Sequence, residues 1–222
     1  MKMREKIVLL QIRGRGLDEI LIAKDMNLIK WIGANSFRTS HYPYSEEIMD
    51  ACDEGGIVVI NECPAVGLQG FGSQLLSQHI QSITELIQRD KNRPSTVMWS
   101  IANEPSSNDE KSFDYFKQIV SIVKNLDMSR PVTGAIAQDK HSDHMGPLLD
   151  VLMINRYYSW YSDTGSLQVI QPLIVNEFTE WKVLHDKPIM ISEYGAGAVA
   201  GLHSVSINYL QLISFNWLAN YF

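Results

Sequence analysis

Short runs of aliphatic and β-branched residues alternate along this chain with longer stretches whose apolar positions recur every three to four residues. The short runs are Ile7–Ile12, Ser36–Ser40, Ile57–Glu62, Thr96–Asn103, Pro131–Ala137, Val151–Asn155 and Pro188–Glu193. Between them lie stretches of helical period at Asp18–Ile32, Glu46–Asp53, Leu75–Asp90, Phe113–Leu126 and Leu167–Leu184. Strand-length runs alternating with helices predict repeated βα units on a parallel sheet. Val97-Met98-Trp99 and Ile57-Val58-Val59-Ile60 are apolar without alternation, as expected of strands covered on both faces. Asp18 and Ser45 stand where N-caps belong, with acidic residues just after them. Seven strand candidates suit either an open doubly wound sheet or a closed barrel, and periodicity alone does not choose. No Gly-x-Gly-x-x-Gly follows the first run and no Walker lysine pattern occurs, which removes the main support for a nucleotide-binding open sheet. No internal repeat or low-complexity linker divides the chain, so it is read as one domain.

Composition narrows the classes further. At 222 residues, 45% hydrophobic and 20% charged, the chain has the material for a sizeable core, which excludes a disordered tail, a collagen and a small disulfide scaffold. A β/α barrel typically takes roughly 250 residues and rarely fewer than about 200, so this length is near the floor for one. Nineteen Lys and Arg against 25 Asp and Glu give a net charge of −6. No basic cluster exceeds a few residues, so the footprint of a nucleic-acid binder is missing. Ile7–Ile12 is shorter than a signal-peptide core of ~7–15 residues, and no Asn-x-Ser/Thr sequon occurs. The apolar segment Ile207–Phe222 is interrupted by Asn208, Gln211, Ser214, Asn216 and Asn220 and falls short of the about 20 residues of a membrane span. Cys52 and Cys63 form no zinc pattern and read as buried thiols. Asp139, His141, Asp143 and His144 are the only metal-like grouping and read as a solvated loop. No metal or cofactor is therefore expected. Trp31, Trp181 and the methionines at helical spacing read as core.

Polar side chains recur at the ends of the strand candidates: Arg38, Ser40 and His41; Asn61 and Glu62; Asn103 and Glu104; Asn155 and Tyr157; Glu193 and Tyr194. In a parallel barrel these ends open onto one face, where such enzymes place their chemistry. Glu104 and Glu193 belong to strands far apart in sequence and would face each other across the mouth. Paired carboxylates are what glycosidic cleavage requires: one protonates the leaving oxygen while the other attacks the anomeric carbon or activates water. An Asn-Glu-Pro after a strand also suits a helix cap, and Glu62 is a rival carboxylate or a structural hydrogen-bonding residue.

Trp99-Ser100-Ile101-Ala102-Asn103-Glu104-Pro105 and Ile191-Ser192-Glu193-Tyr194-Gly195 resemble the acid/base and nucleophile motifs of glycoside hydrolase family 2. Three further segments, Phe37–Tyr44, Asn61–Pro64 and Asn155–Tyr161, resemble the β-glucuronidase branch of that family. The resemblance implies a (β/α)8 TIM-barrel fold, with Glu104 as general acid/base and Glu193 as nucleophile of a retaining, double-displacement hydrolysis of terminal β-D-glucuronides. It implies carboxyls roughly 5–5.5 Å apart. Glu193 would be kept ionised by a cation such as Arg38 and by the Tyr157 hydroxyl, while Glu104 would hold its proton through partial burial and nearby negative charge. Asn103 would contact the sugar 2-hydroxyl, and Tyr161, His41 and Trp160 would line the pocket.

The likeness runs over residues 14–204, expected to form the catalytic barrel. Residues 1–13 are unmatched and stand in for a first strand at most. Residues 205–222 are expected to be a divergent apolar tail, with the final βα unit and the family's Asn-x-Lys carboxylate reader unmatched. The barrel is accordingly expected to be truncated at both ends and marginally stable. Alternative readings are a catalytically silent fragment or carbohydrate-binding module, and a β-galactosidase-like or β-mannosidase-like member of the same family. Partners are a glycoside substrate, with neither nucleic acid nor membrane. For a longer parent the resemblance implies a homo-oligomer, lysosomal in a eukaryote and cytoplasmic in a bacterium.

Overall fold

In the computed structural model, residues 17–195 are described. The expected strand Ile7–Ile12 and the segment Ile207–Phe222 lie outside the described residues. The order of elements is α1 (Glu19–Trp31), β1 (Ser36–Arg38), α2 (Glu46–Gly55), β2 (Val58–Glu62), α3 (Ser73–Asp90), β3 (Thr96–Asn103), α4 (Lys111–Leu126), β4 (Val132–Ile136), a 3-10 turn (Gly146–Leu148), β5 (Leu152–Asn155), a 3-10 turn (Leu167–Val169), α5 (Ile170–His185) and β6 (Ile189–Glu193). Asp18 caps α1, its carboxylate accepting from the Ile20 and Leu21 amides at 3.1 and 3.2 Å. Ser45 precedes α2 but makes no side-chain cap bond, and Glu46 and Glu47 place negative charge on that first turn. The expected helix Leu167–Leu184 begins as a 3-10 turn and becomes α-helical only at Ile170.

Among the described residues all five strand pairs are parallel and the spatial order is β1-β2-β3-β4-β5-β6. A doubly wound sheet reverses its order at a switch point; this one never does. Curvature follows from one contact. Six strands laid flat at about 4.8 Å spacing would hold β1 and β6 about 24 Å apart, yet Arg38 at the end of β1 reaches Glu193 at the end of β6 at 2.5 Å. The sheet is therefore bent round on itself, and the architecture is that of an incomplete (β/α)8 barrel.

Alternation along the strands sorts the side chains. Ile60, Ala135 and Met153, joined by Met98, form a small cluster inside the bend. On the other face Trp99, Ile101, Val132, Ile136, Leu152 and Ile154 pack with Ile83 and Ile87 of α3, Phe116, Ile119 and Val123 of α4, and Trp181 of α5. A separate cluster, Met26, Ile29, Phe37, Met49, Cys52 and Val59, seats α1 and α2 against β1 and β2. Trp181 is fully buried, whereas Trp31 is 81% exposed and Met128 88% exposed, so these two are not core. Trp31 closes the last turn of α1, where the buried face is held by Met26 and Ile29. At the N-terminal end of the strands, Arg93 pairs with Asp50 at 2.6 Å and Asp90 at 3.1 Å, and Trp99 donates to Asp127 at 2.9 Å. Among the described residues no helix is long and apolar enough to cross a membrane.

Candidate active site

The C-terminal ends of β3, β5 and β6 open into a cavity of about 610 Å³ lined by His41, Val66, Asn103, Glu104, Ala137, Asn155, Arg156, Tyr157, Tyr158, Tyr161, Ser162 and Glu193. Glu104 and Glu193 thus share one cavity, although they leave strands on different sides of the bend.

Glu193 is 1% exposed and its carboxylate is fully engaged in charge-assisted contacts. Arg38 donates to Oε1 through Nη2 at 2.5 Å, and the Tyr157 hydroxyl donates to Oε2. His41 Nε2 stands 4.0 Å from Oε1. Burial, the hydrogen bond to Glu193 and the charges of Glu193 and Glu104 all push the Tyr157 hydroxyl upward from the usual phenol range, so it keeps its proton and stays a donor. A carboxylate facing a cation and a hydroxyl donor is held in its charged form.

Glu104 sits just past β3 with φ of 49°, left-handed backbone that a non-glycine residue adopts at a cost of order 1 kcal/mol. Its amide donates to the Ala135 carbonyl at 2.8 Å, which fixes the turn, and Asn155 Nδ2 donates to its Oε1 at 2.6 Å. Asn103 reaches the same side through a register irregularity between Ser100 and Asn103 against β4. Strict alternation from inward-facing Ser100 would turn Asn103 outward; the irregularity re-aims it. Its Oδ1 accepts from Arg38 Nη1 at 3.2 Å and Asn155 Nδ2 at 3.3 Å. With two donors on the oxygen, the amide –NH2 is the end presented to the cavity.

The structure brings Glu104, Glu193, Asn103, Tyr157, Tyr161 and His41 around one cavity, with Arg38 buried behind Glu193 rather than at the lining. Trp160 is not among the lining residues; it packs edge-to-face on Tyr161, with ring centroids 6.4 Å apart. Asn155 was not among the expected site residues, although its place at a strand end was visible; the structure makes it the donor to Glu104, with Ser192 donating to its own Oδ1 at 2.7 Å. Arg156 lines the cavity but is committed elsewhere, to Glu177 at 2.5 Å and to the carbonyls of Ala137 and Gln138.

The Asp139–His144 segment is not uniformly solvated. Asp139 and His141 are exposed, but Asp143 is buried, accepting from Ser107 Oγ at 2.5 Å and the Gly146 amide at 2.6 Å, and burial raises its carboxyl. It ties the 3-10 turn to the loop after Glu104. No grouping of His, Cys, Asp and Glu suited to a metal occurs among the described residues. Burial and the neighbouring Glu62 push the Cys63 thiol up to about 12, which leaves it unreactive near neutrality.

Residues 9–221 match the sequence profile of the glycosyl hydrolases family 2, TIM barrel domain, a span that takes in the stretch expected to be a divergent tail. The chain is 51% identical over 195 residues to the β-glucuronidase of Mus musculus, covering 86% of this chain. It spans 30% of the length of the curated relatives it matches. Among solved structures, a β-D-glucuronidase of Dictyoglomus thermophilum superposes with TM-score 0.87 at 42% identity, over 94% of this chain and 39% of that one. The Bifidobacterium dentium β-glucuronidase complexed with coumarin-3-O-glucuronide gives TM-score 0.85 at 37% identity, over 94% of this chain and 35% of that one.

Proposed function

Because the chain belongs to glycosyl hydrolase family 2, we propose that it carries the machinery of a retaining β-glucuronidase, with Glu193 as nucleophile and Glu104 as general acid/base. The observation that carries this reading is the pair of carboxylates in one cavity, in unlike surroundings. Glu193 faces Arg38 and Tyr157, a setting that keeps it ionised and aimed. Glu104 faces a neutral amide, that of Asn155, and no cation pairs with it among the described residues.

In the first step Glu193 attacks the anomeric carbon as Glu104 gives its proton to the glycosidic oxygen, and the aglycone leaves. In the second step Glu104, now a base, takes a proton from water as that water displaces Glu193. Tyr157 and Arg38 prevent the nucleophile from rotating away, and the –NH2 of Asn103 lies where a sugar 2-hydroxyl would meet a donor that strengthens its hold as positive charge grows at the ring. The glucuronide itself is supported by identity with the mouse enzyme and by the ligand in the Bifidobacterium dentium complex.

Purified chain is assayed on aryl β-glucuronide and aryl β-galactoside beside Glu193→Gln. Turnover of the glucuronide alone, lost by about a thousandfold or more in the variant, is the expected result. Equal rates for the two proteins overturn the reading.

A further inference from the structure

Behind the cavity lies a second carboxylate on the same guanidinium. Glu62, at the end of β2, is fully buried; its Oε2 accepts from Arg38 Nη1 at 2.6 Å and from Ser100 Oγ at 2.7 Å. Its backbone amide donates to Thr39 Oγ1 at 2.7 Å, so both main chain and side chain are fixed. Arg38 therefore divides one positive charge between Glu62 and Glu193, using one terminal nitrogen for each. The remaining Glu62 oxygen, Oε1, has no hydrogen-bond partner among the described residues; His41 Nδ1 stands 3.7 Å from it. A buried guanidinium with a single carboxylate would be neutralised; with two it leaves the trio one negative charge in excess.

We propose that Glu62 is a positioning residue that sets the basicity of Glu193 through the shared Arg38. The proposal rests on the reading of Glu193 as nucleophile. A nucleophile bound to an undivided cation would ionise readily but attack weakly, since its charge is neutralised by its partner. Sharing the cation returns electron density to Glu193 while the Arg38 contact still holds its direction. The groups around Glu193 are Arg38 from β1 and His41 from the following loop on its Oε1, Tyr157 from the loop after β5 on its Oε2, Glu104 and Tyr161 in the shared cavity, and Glu62 of β2 on the other nitrogen of Arg38. Of these, only Glu62 touches Arg38 from the side away from the cavity, so it acts on Glu193 without contact with a substrate.

The test is the titration of Glu193 followed by carboxyl carbon NMR on the full chain, with its signal assigned through Glu193→Gln, in wild type, Glu62→Gln and Glu62→Asp. Glu62→Gln keeps an acceptor for Arg38 and removes the charge; the Glu193 midpoint should fall by about one to two pH units as the repulsion from the second carboxylate is lost. Glu62→Asp keeps the charge and should leave the midpoint within about half a unit, while its shorter reach lowers kcat. A midpoint unmoved in Glu62→Gln overturns the proposal, since a merely structural Glu62 would change stability alone. Should Glu62→Gln fail to fold, the wild type decides: a Glu62 signal that is uncharged at pH 7 overturns the proposal, and one that stays charged through the Glu193 titration supports it. A chain that turns over no glucuronide yet shows the displaced titration refutes the glycosidase reading and leaves the charge coupling of Glu62 to Glu193 standing apart from it.

Discussion

Acidification from pH 7.5 to pH 5 should loosen this fold through His79. The ring lies on α3, 5% exposed, between two fixed partners: Nε2 is 2.8 Å from the Ile101 carbonyl and Nδ1 is 3.0 Å from the Tyr115 hydroxyl. A carbonyl only accepts, so Nε2 carries the proton and Nδ1 takes the one offered by Tyr115, whose hydroxyl burial pushes upward and keeps protonated. Protonating Nδ1 would place a charge inside the core and turn the Tyr115 hydroxyl into an acceptor, its own proton left to the Leu75 carbonyl 3.5 Å away. Burial accordingly lowers the ring from 6.5 to about 4. The unfolded chain takes up a proton near 6.5 and the folded chain refuses it until about 4, so the unfolded state binds more protons in that window. Stability is full above pH 6.5 and falls as pH drops toward 4, by about 3 kcal/mol in all and about 2 kcal/mol by pH 5.

The assay is urea unfolding of wild type and His79→Gln at pH 7.5, 6 and 5. Glutamine offers a donor and an acceptor to the same partners and does not titrate, so the wild type should lose about 2 kcal/mol more than the variant between pH 7.5 and 5. Two curves that fall in parallel refute the reasoning, as does a folded-state imidazole signal for His79 that titrates above pH 6.

Two further changes probe the supports of the site. In Gly146→Ala the new Cβ would stand 2.8 Å from Asp143 Oδ2 and 3.2 Å from Trp181 Cζ3; with Asp143 tied to Ser107 and Trp181 fully buried, the cost should be about 1–3 kcal/mol, and a thermal midpoint within a degree of wild type would contradict it. Asn155→Ala removes the donor to Glu104 and one of two donors that orient Asn103; kcat/KM on an aryl β-glucuronide should fall by about ten- to a hundredfold with the urea midpoint at pH 7.5 little changed, and undiminished turnover would remove Asn155 from the machinery.

The βα order could be read from the chain because buried parallel strands write themselves as continuous apolar runs: Thr96–Asn103 coincides with β3, and the predicted bounds of α1 match to a residue at either end. What decided between sheet and barrel was not local. It took the meeting of Arg38 with Glu193, a contact between β1 and β6 that no periodicity contains. Period-two reasoning also fails where the chemistry sits. Asn103 faces the cavity only because the β3–β4 register slips just before it, and Glu104 follows in left-handed backbone. Trp31 and Asp143 went astray for a related reason, since a tryptophan at helical spacing and an aspartate in a polar loop both look ordinary until the neighbouring elements are in place. Glu62 is the instructive case. Its residue type and strand-end position made it a rival carboxylate, and only the fork of Arg38 separates the two roles, placing Glu193 in the cavity and Glu62 behind it on a shared charge. A carboxylate kept fully buried with one oxygen lacking a hydrogen-bond partner is costly to the fold, and a site that must keep a neighbouring carboxylate both aimed and basic has a physical use for it.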